Sequence, residues 1–427
     1  AYAAVNTIRL DDLRPHIYRT NDSGKTWKEI VRGIPENENV NVVREDPRRR
    51  GLLFAGTERA VYVSFDDGEN WRSLRLNMPA TSVRDLIVKD DDLAVATHGR
   101  GFWILDNITA LRQPEIGEQA PILFKPQTAL RVRWDLNTDT PLPPGEPAGE
   151  NPPEGAMIDY RLSADATGPV TLEIKDSKGA VVRRYASTDP VPPPDPKLKI
   201  PRYWVRPIQP LPAAPGLHRF SWDMHFEPLK NADAEYPMRA VFQKTAAQPT
   251  GPWVVPGEYS VVLTAGGKNF TQRLTVKMDP RVKASGADLA KQFELSKALY
   301  DTRATLQPIG KSFESLVAEL GKAKEKAGDT QVKEKIEALN KKLQEFADPV
   351  RVRTGQSLEL DVLSKVKKLF GDLQEADAAP ISATEAAAVQ IQRDAKSVVE
   401  RWRAMPQEVA SLNAALETAG LEKIKAP

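Results

Sequence analysis

At 427 residues the chain has room for two to four domains, and 41% hydrophobic with 28% charged residues is ordinary globular material. Lys and Arg number 60 against 58 Asp and Glu, so a formal charge of +2 gives no overall field that would draw the chain to nucleic acid. With no cysteine there is no disulfide, thiol nucleophile or thiolate metal site in this stretch. The four histidines (His16, His98, His218, His225) lack zinc-motif spacing, and no apolar run approaches the ~18 residues that span a bilayer.

In chain order, Ala1 to Val5, Ile17 to Thr20 and Trp27 to Ile30 read as the strands of a sheet entered near its first strand. Val40 to Arg44, Leu52 to Gly56, Ala60 to Ser64 and Trp71 to Leu74 make a second round of short apolar strands. Val83 to Val88, Leu93 to Thr97 and Phe102 to Leu105 make a third. The Asp90-Asp91-Asp92 turn is either a polar hairpin tip or a calcium site. The densest basic cluster, Arg48-Arg49-Arg50, reads as a solvated loop before Gly51.

Two near-copies of one signature punctuate these strands, 44 residues apart: Thr20-Asn21-Asp22-Ser23-Gly24-Lys25-Thr26-Trp27 and Ser64-Phe65-Asp66-Asp67-Gly68-Glu69-Asn70-Trp71. In each, the Asp (Asp22, Asp66) is suited to accept hydrogen bonds from its own turn. The Gly (Gly24, Gly68) supplies positive φ, and the Trp (Trp27, Trp71) covers the hairpin with apolar surface. Identical residues in successive units indicate one recurring architectural job rather than catalysis. A period of roughly 40–45 residues is that of a propeller blade.

This pattern resembles the Asp box of sialidase-like and sortilin-like β-propellers. The resemblance implies that residues 1–112 are the last blades of an incomplete Asp-box propeller. Closure takes about four to eight blades and about three are present, so the chain is expected to be the C-terminal part of a longer protein. Its upstream blades are then the first partner expected.

Beyond residue 112 the organisation changes. Residues 113–156 read as a connector ending in a Pro- and Gly-rich linker over 138–156. Residues 157–280 alternate apolar and polar positions: Val170, Leu172 and Ile174; then Phe220, Trp222, Met224 and Phe226; then Tyr259, Val261 and Leu263. This predicts an immunoglobulin- or fibronectin-like β-sandwich. A long Pro-rich insertion over 189–215 is expected to pack against the propeller. From residue 281 to 427 the period becomes helical. Val332, Ile336, Leu339, Leu343 and Phe346 form one stripe, a helix from Leu289 is expected to kink at Pro308 and run on to Leu320, and Leu358–Leu373 and Thr384–Leu416 complete an antiparallel bundle of four helices.

The resemblance extends over most of the chain. Val95-Ala96-Thr97-His98-Gly99-Arg100-Gly101-Phe102-Trp103-Ile104-Leu105-Asp106, Gly149-Glu150-Asn151-Pro152-Pro153-Glu154-Gly155-Ala156, His218-Arg219-Phe220-Ser221-Trp222-Asp223 and Pro256-Gly257-Glu258-Tyr259 are similar to the sortilin-like, BNR-repeat group of bacterial proteins labelled glycosyl hydrolase. What it implies is a periplasmic or extracellular binding or scaffold protein that recognises a glycan, peptide or protein, with no membrane span, nucleic acid, cofactor or metal. The alternative is a sialidase- or xyloglucanase-like glycoside hydrolase whose catalytic residues lie in upstream blades.

No catalytic set can be placed in this segment. Asp11, Asp12, Asp85 and Asp106 read as turn or capping residues. The ligand-binding candidates are His98, Arg100 and Trp103, which put a cation and an aromatic ring on a glycine-rich turn. The competing reading is a tight turn in which Gly99 and Gly101 take positive φ and the side chains pair with nearby acids.

Overall fold

A computed structural model describes residues 1–117, 120–133, 149, 152–164, 167–193, 195, 198–230, 232–238, 242–328, 330–354 and 359–426. The predicted linker over 138–156 lies outside these except for 149 and 152–156. The chain is a β-plus-α protein with several sheets followed by a helical segment.

Residues 2–105 form three consecutive antiparallel sheets. The first contains β1 (Tyr2–Ala4), β2 (Ile17–Arg19) and β3 (Lys28–Glu29). The second contains β4 (Val40–Glu45), β5 (Leu53–Thr57), β6 (Val61–Ser64) and β7 (Arg72–Ser73). The third contains β8 (Val83–Lys89), β9 (Asp92–Thr97) and β10 (Phe102–Leu105). The second sheet is buried on both faces, which explains its unbroken apolar strands. Leu53, Ala55, Tyr62 and Trp71 share a core with Ile17 and Ile30 of the first sheet, while Phe54, Val61 and Val63 share one with Leu86, Leu93 and Val95 of the third.

The two repeated turns have the same hydrogen bonds. Gly24 N–H donates to Thr20 Oγ1 at 2.9 Å, as Gly68 N–H does to Ser64 Oγ. Thr26 N–H donates to Asp22 Oδ1 and Asn70 N–H to Asp66 Oδ1, also at 2.9 Å. Ser23 and Asp67 both take φ 61° and the following Gly24 and Gly68 take 86° and 87°, a left-handed pair that the glycine makes affordable. These bonds, led by that from the Thr26 side chain, lower the Asp22 pKa to about 2. Burial works against Asp66, but the bonds from Asn70 and Ser64 still lower its pKa.

The two tryptophans differ in what they meet. Trp71 is 3% exposed and its Nε1–H donates to Ile30 O of the first sheet at 2.7 Å. Its backbone N–H donates to Arg32 O, and a Cβ at Gly33 would lie 2.2 Å from Trp71 O, so the approach requires glycine. Trp27 sits in the same turn but is 47% exposed.

The next unit has two packed sheets: β11 (Ile122–Leu123), β13 (Ala156–Leu162) and β16 (Gly216–Trp222) against β12 (Ala129–Arg131), β18 (Lys268–Met278), β17 (Gly257–Ala265), β14 (Thr171–Lys175) and β15 (Val181–Ala186). Ile158, Tyr160 and Trp222 interlock with Leu172, Val261 and Leu274 in one core. The strand predicted through Phe226 ends earlier, because the chain turns at Met224, whose φ is 56°. The insertion over 189–215 is anchored on this unit: Leu211 enters its core, and Tyr160 Oη donates to Pro212 O.

The helical segment contains α1 (Gly286–Lys326), α2 (Thr330–Gln344), α3 (Pro349–Thr354), α4 (Asp361–Gln374), α5 (Ser382–Trp402) and α6 (Met405–Thr418). α1 runs on past Pro308 as expected, and the segment departs from the four predicted helices in two places: α3 is an additional short helix, and Thr384–Leu416 is broken between α5 and α6, where Met405 and Trp402 both turn into the core. At Gly310 the absence of a side chain lets α4 approach, since a Cβ there would meet Leu363 Cδ2 at 2.7 Å.

This two-sheet unit and the helices are joined by an ion cluster with Asp377 buried at its centre. Arg131 bonds Asp377 and Val254 O, Arg133 bonds Asp377, and both guanidiniums lie over the Trp253 ring. The Asp377 side chain is 3% exposed. Burial opposes its charge, but the two arginines hold its pKa below the usual carboxylate range. Asp377→Ala would strand the buried Arg131 and the half-buried Arg133, and we expect it to cost about 3–5 kcal/mol. Urea unfolding followed by circular dichroism measures this, and an unchanged midpoint would contradict the role given to the cluster.

Candidate functional site

The turns between β1 and β2, β5 and β6, and β9 and β10 all lie at the end of the sheets opposite the two repeated turns. A continuous polar row links them. Asn6 Nδ2 donates to Asn41 Oδ1, and Asn41 Nδ2 donates to Glu58 Oε1 at 2.9 Å and to Val83 O at 3.0 Å. Arg84 Nη1 donates to the same Glu58 oxygen at 3.2 Å. Thr81 N–H donates to Arg59 O and His98 N–H to Ser82 O, which brings the third sheet's turn beside the second's. Partial burial opposes ionisation of Glu58, yet the bond from Asn41 and the charges of Arg84 and His98 lower its pKa, so it is a carboxylate at neutral pH.

At the first sheet's end of this row His16 lies between two acids. Its Nδ1 is 2.7 Å from Glu29 Oε1 and its Nε2 3.1 Å from Asp12 Oδ2, and its ring stacks on Tyr18. The bond to Glu29 leads, with Asp12 adding to it, and the His16 pKa is raised despite desolvation. Asp12 is also bonded by Arg14 through both side chain and backbone, which drives its pKa well below the usual range.

The predicted ligand residues separate. His98 and Arg100 are exposed on the turn, where Gly99 and Gly101 have φ of 86° and 66° and Thr97 Oγ1 donates to Gly101 O at 2.7 Å. Trp103 does not share that exposure. Its ring packs against the core between the second and third sheets, and its Nε1–H donates to Arg100 O at 3.1 Å. The aromatic surface presented beside Arg100 is that of Phe102, 82% exposed.

The candidate acids do not converge. Asp11 closes a short turn at φ 61°, and Asp85 pairs with Arg44. Asp106 lies at the opposite end of its sheet from Asp12, with its pKa raised by burial and then by Asp92.

In the Asp90–Asp92 turn, Asp91 accepts from Arg48, Arg112 and Gln127, and Asp92 accepts the Asn107 N–H at 2.9 Å. Their lone pairs are thus engaged by protein donors, and no group of three or more His, Asp or Glu side chains among the described residues is placed to hold a metal. Arg48 and Arg49 are correspondingly not free loop cations, since Arg49 Nη1 donates to Leu111 O at 2.7 Å.

The central residues of the row, Glu58, Asn41 and Arg84, escaped the sequence reading. The available signal was positional: Glu58 occupies the β5–β6 turn as His98 occupies the β9–β10 turn.

No protein-family model and no curated protein matches the chain. Among solved structures it is similar to YCF48 bound to D1 peptide, with 19% identity and a TM-score of 0.18 over 22% of this chain and 30% of that one. It is also similar to the extracellular domain of BT4673 from B. thetaiotaomicron, with 10% identity and a TM-score of 0.18 over 64% of this chain and 34% of that one. The chain therefore spans about a third of the length of these structures. No helix among the described residues is long and apolar enough to cross a membrane.

The His16 cluster fixes a pH dependence. A raised folded pKa means that its stabilisation is fully present below the unfolded value of ~6.5 and is lost as pH rises through the folded value. His16→Gln should therefore lower the thermal midpoint at about pH 6 and match the parent protein at about pH 9. An equal deficit at both pH values would show that His16 acts through packing alone.

Proposed function

We propose that residues 1–112 are blades of an Asp-box β-propeller, completed by upstream blades of the same protein. The whole is then a periplasmic or extracellular binding or scaffold protein that recognises a glycan, peptide or protein partner. The observation that carries this reading is the polar row from Asn6 to His98, which runs across three sheets and ends in the exposed His98 and Arg100. Such a row is preorganised: Asn6, Asn41, Glu58 and Arg84 are held by bonds to one another, so a ligand laid across it meets fixed polar groups at little ordering cost. Trp103 supports the turn from behind, while Phe102 adds apolar surface at its edge.

A glycoside hydrolase needs two carboxylates about 5–9.5 Å apart with room between them for sugar or water. The acids that approach one another at this end, Asp12 and Glu29, have the His16 imidazole in that space. This favours binding over hydrolysis for the present segment.

The test is a titration of the intact protein against a panel of polysaccharides and extended peptides, with His98→Ala and Arg100→Ala in parallel. The expected outcome is a loss of tenfold or more in affinity, about 1.4 kcal/mol, for the ligand that binds. Unchanged affinity in both variants, or turnover of a glycan, would overturn the reading.

A further inference from the structure

The first and second sheets superimpose in sequence at a constant offset of 44. Ile17 matches Val61, Thr20 matches Ser64, Trp27 matches Trp71 and Ile30 matches Leu74. The offset holds in hydrogen bonding as well: Ile30 N–H donates to Ile17 O and Leu74 N–H to Val61 O, both at 2.8 Å. Register carries it to the remaining strand, since Ala4 opposes Ile17 as Gly56 opposes Val61, and Tyr2 opposes Arg19 as Phe54 opposes Val63. β1 is therefore the counterpart of β5.

Among the described residues, two partners present in the second sheet lack counterparts in the first. β5 pairs with β4 on its inner side, whereas β1 pairs with β2 alone. Because Ala1 exchanges bonds with Thr20 and Val5 N–H donates to His16 O, the alternation of an antiparallel ladder turns the N–H and C=O of Tyr2 and Ala4 to the unpaired side. Trp71 has the Ile30 carbonyl, the Arg32 carbonyl and the bare backbone of Gly33 to receive it, whereas Trp27 stands half exposed.

We infer that the Trp27 face and the free edge of β1 together dock one further sheet-and-strand unit of this same 44-residue kind. It is supplied by polypeptide preceding Ala1, and it offers a backbone carbonyl to Trp27 Nε1–H and an antiparallel strand to Tyr2–Ala4. One continuous stretch supplies both. In the existing copy the receptor carbonyl of Ile30, the glycine at 33 and the inner strand β4 follow one another in the residues leading to Leu53, the counterpart of Ala1. The stretch therefore carries an apolar residue, then a glycine in a tight turn, then a short, largely apolar strand like Val40–Glu45. A second copy of this chain fits poorly, since its Ile30 carbonyl is already taken by its own Trp71. This inference rests on the propeller reading but not on where the ligand binds.

The experiment compares residues 1–427 with the longer natural polypeptide, each with Trp27 intact and as Trp27→Phe and Trp27→Ala. In 1–427, Trp27→Phe should remove a quencher-accessible component of the acrylamide-quenching curve, and Trp27→Ala should leave the thermal midpoint in place. In the longer protein that accessible component should be missing, and Trp27→Ala should lower the midpoint by about 2–4 °C or more. Trp27→Phe, which replaces the indole by a smaller phenyl ring and removes the N–H, should shift it less, and this holds even where the alanine variant fails to fold. Trp27 equally quenched in both proteins would overturn the inference. So would a dimer of 1–427 that Trp27→Ala dissociates. Neither result depends on His98 or Arg100, so a failure here is distinct from a failure of the ligand assignment.

Discussion

The stacking of the second sheet on the first depends on one contact, the burial of a tryptophan against the backbone of the preceding sheet. The Trp71 indole donates to Ile30 O, its main chain donates to Arg32 O, and Gly33 removes the side chain that would block the approach. Burying an indole with its N–H satisfied stabilises by far more than the turn that carries it. That turn has the complementary duty of aiming the ring. The Asp and hydroxyl residues, five bonds in each copy, fix the loop so that the indole projects from one sheet edge toward the next.

The same offset between sheets sets the geometry of the opposite end. Because neighbouring sheets are held at a fixed spacing, side chains bond across the boundaries, from Asn6 to Asn41 and from Arg84 to Glu58, and Asn41 joins the two by bonding Glu58 within the second sheet. The candidate site is a product of the stacking rather than of any one sheet. Neighbours lower the Glu58 and Asp12 pKa values and raise that of His16, while His98 and Arg100 stand exposed at the rim.

The elements of this architecture were legible to different degrees. All ten strands of the first three sheets were readable, because their apolar runs are short and the two turns repeat, and the switch to helical period after Asp279 was equally clear. Readings that needed long-range information fared worse. Met224 looked like one more alternating strand residue until its left-handed backbone ended the strand. The break between Trp402 and Met405 was invisible because both residues fit a single stripe. Trp103 looked like a ligand partner of His98, yet alternation along β10 turns it to the core and puts Phe102 outside. Glu58 carried no motif at all, and it matters only because Asn41 and Arg84, distant in sequence, both reach it.

The central claim is that two identical turns present two tryptophans to different surroundings, one sealed by a neighbouring sheet and one open. Solvent exchange of the indole N–H protons, assigned by Trp27→Phe and Trp71→Phe in residues 1–427, tests it directly. The account predicts a Trp71 indole proton protected to the level of core amides and a Trp27 indole proton that exchanges freely. Equal exchange of the two would contradict it.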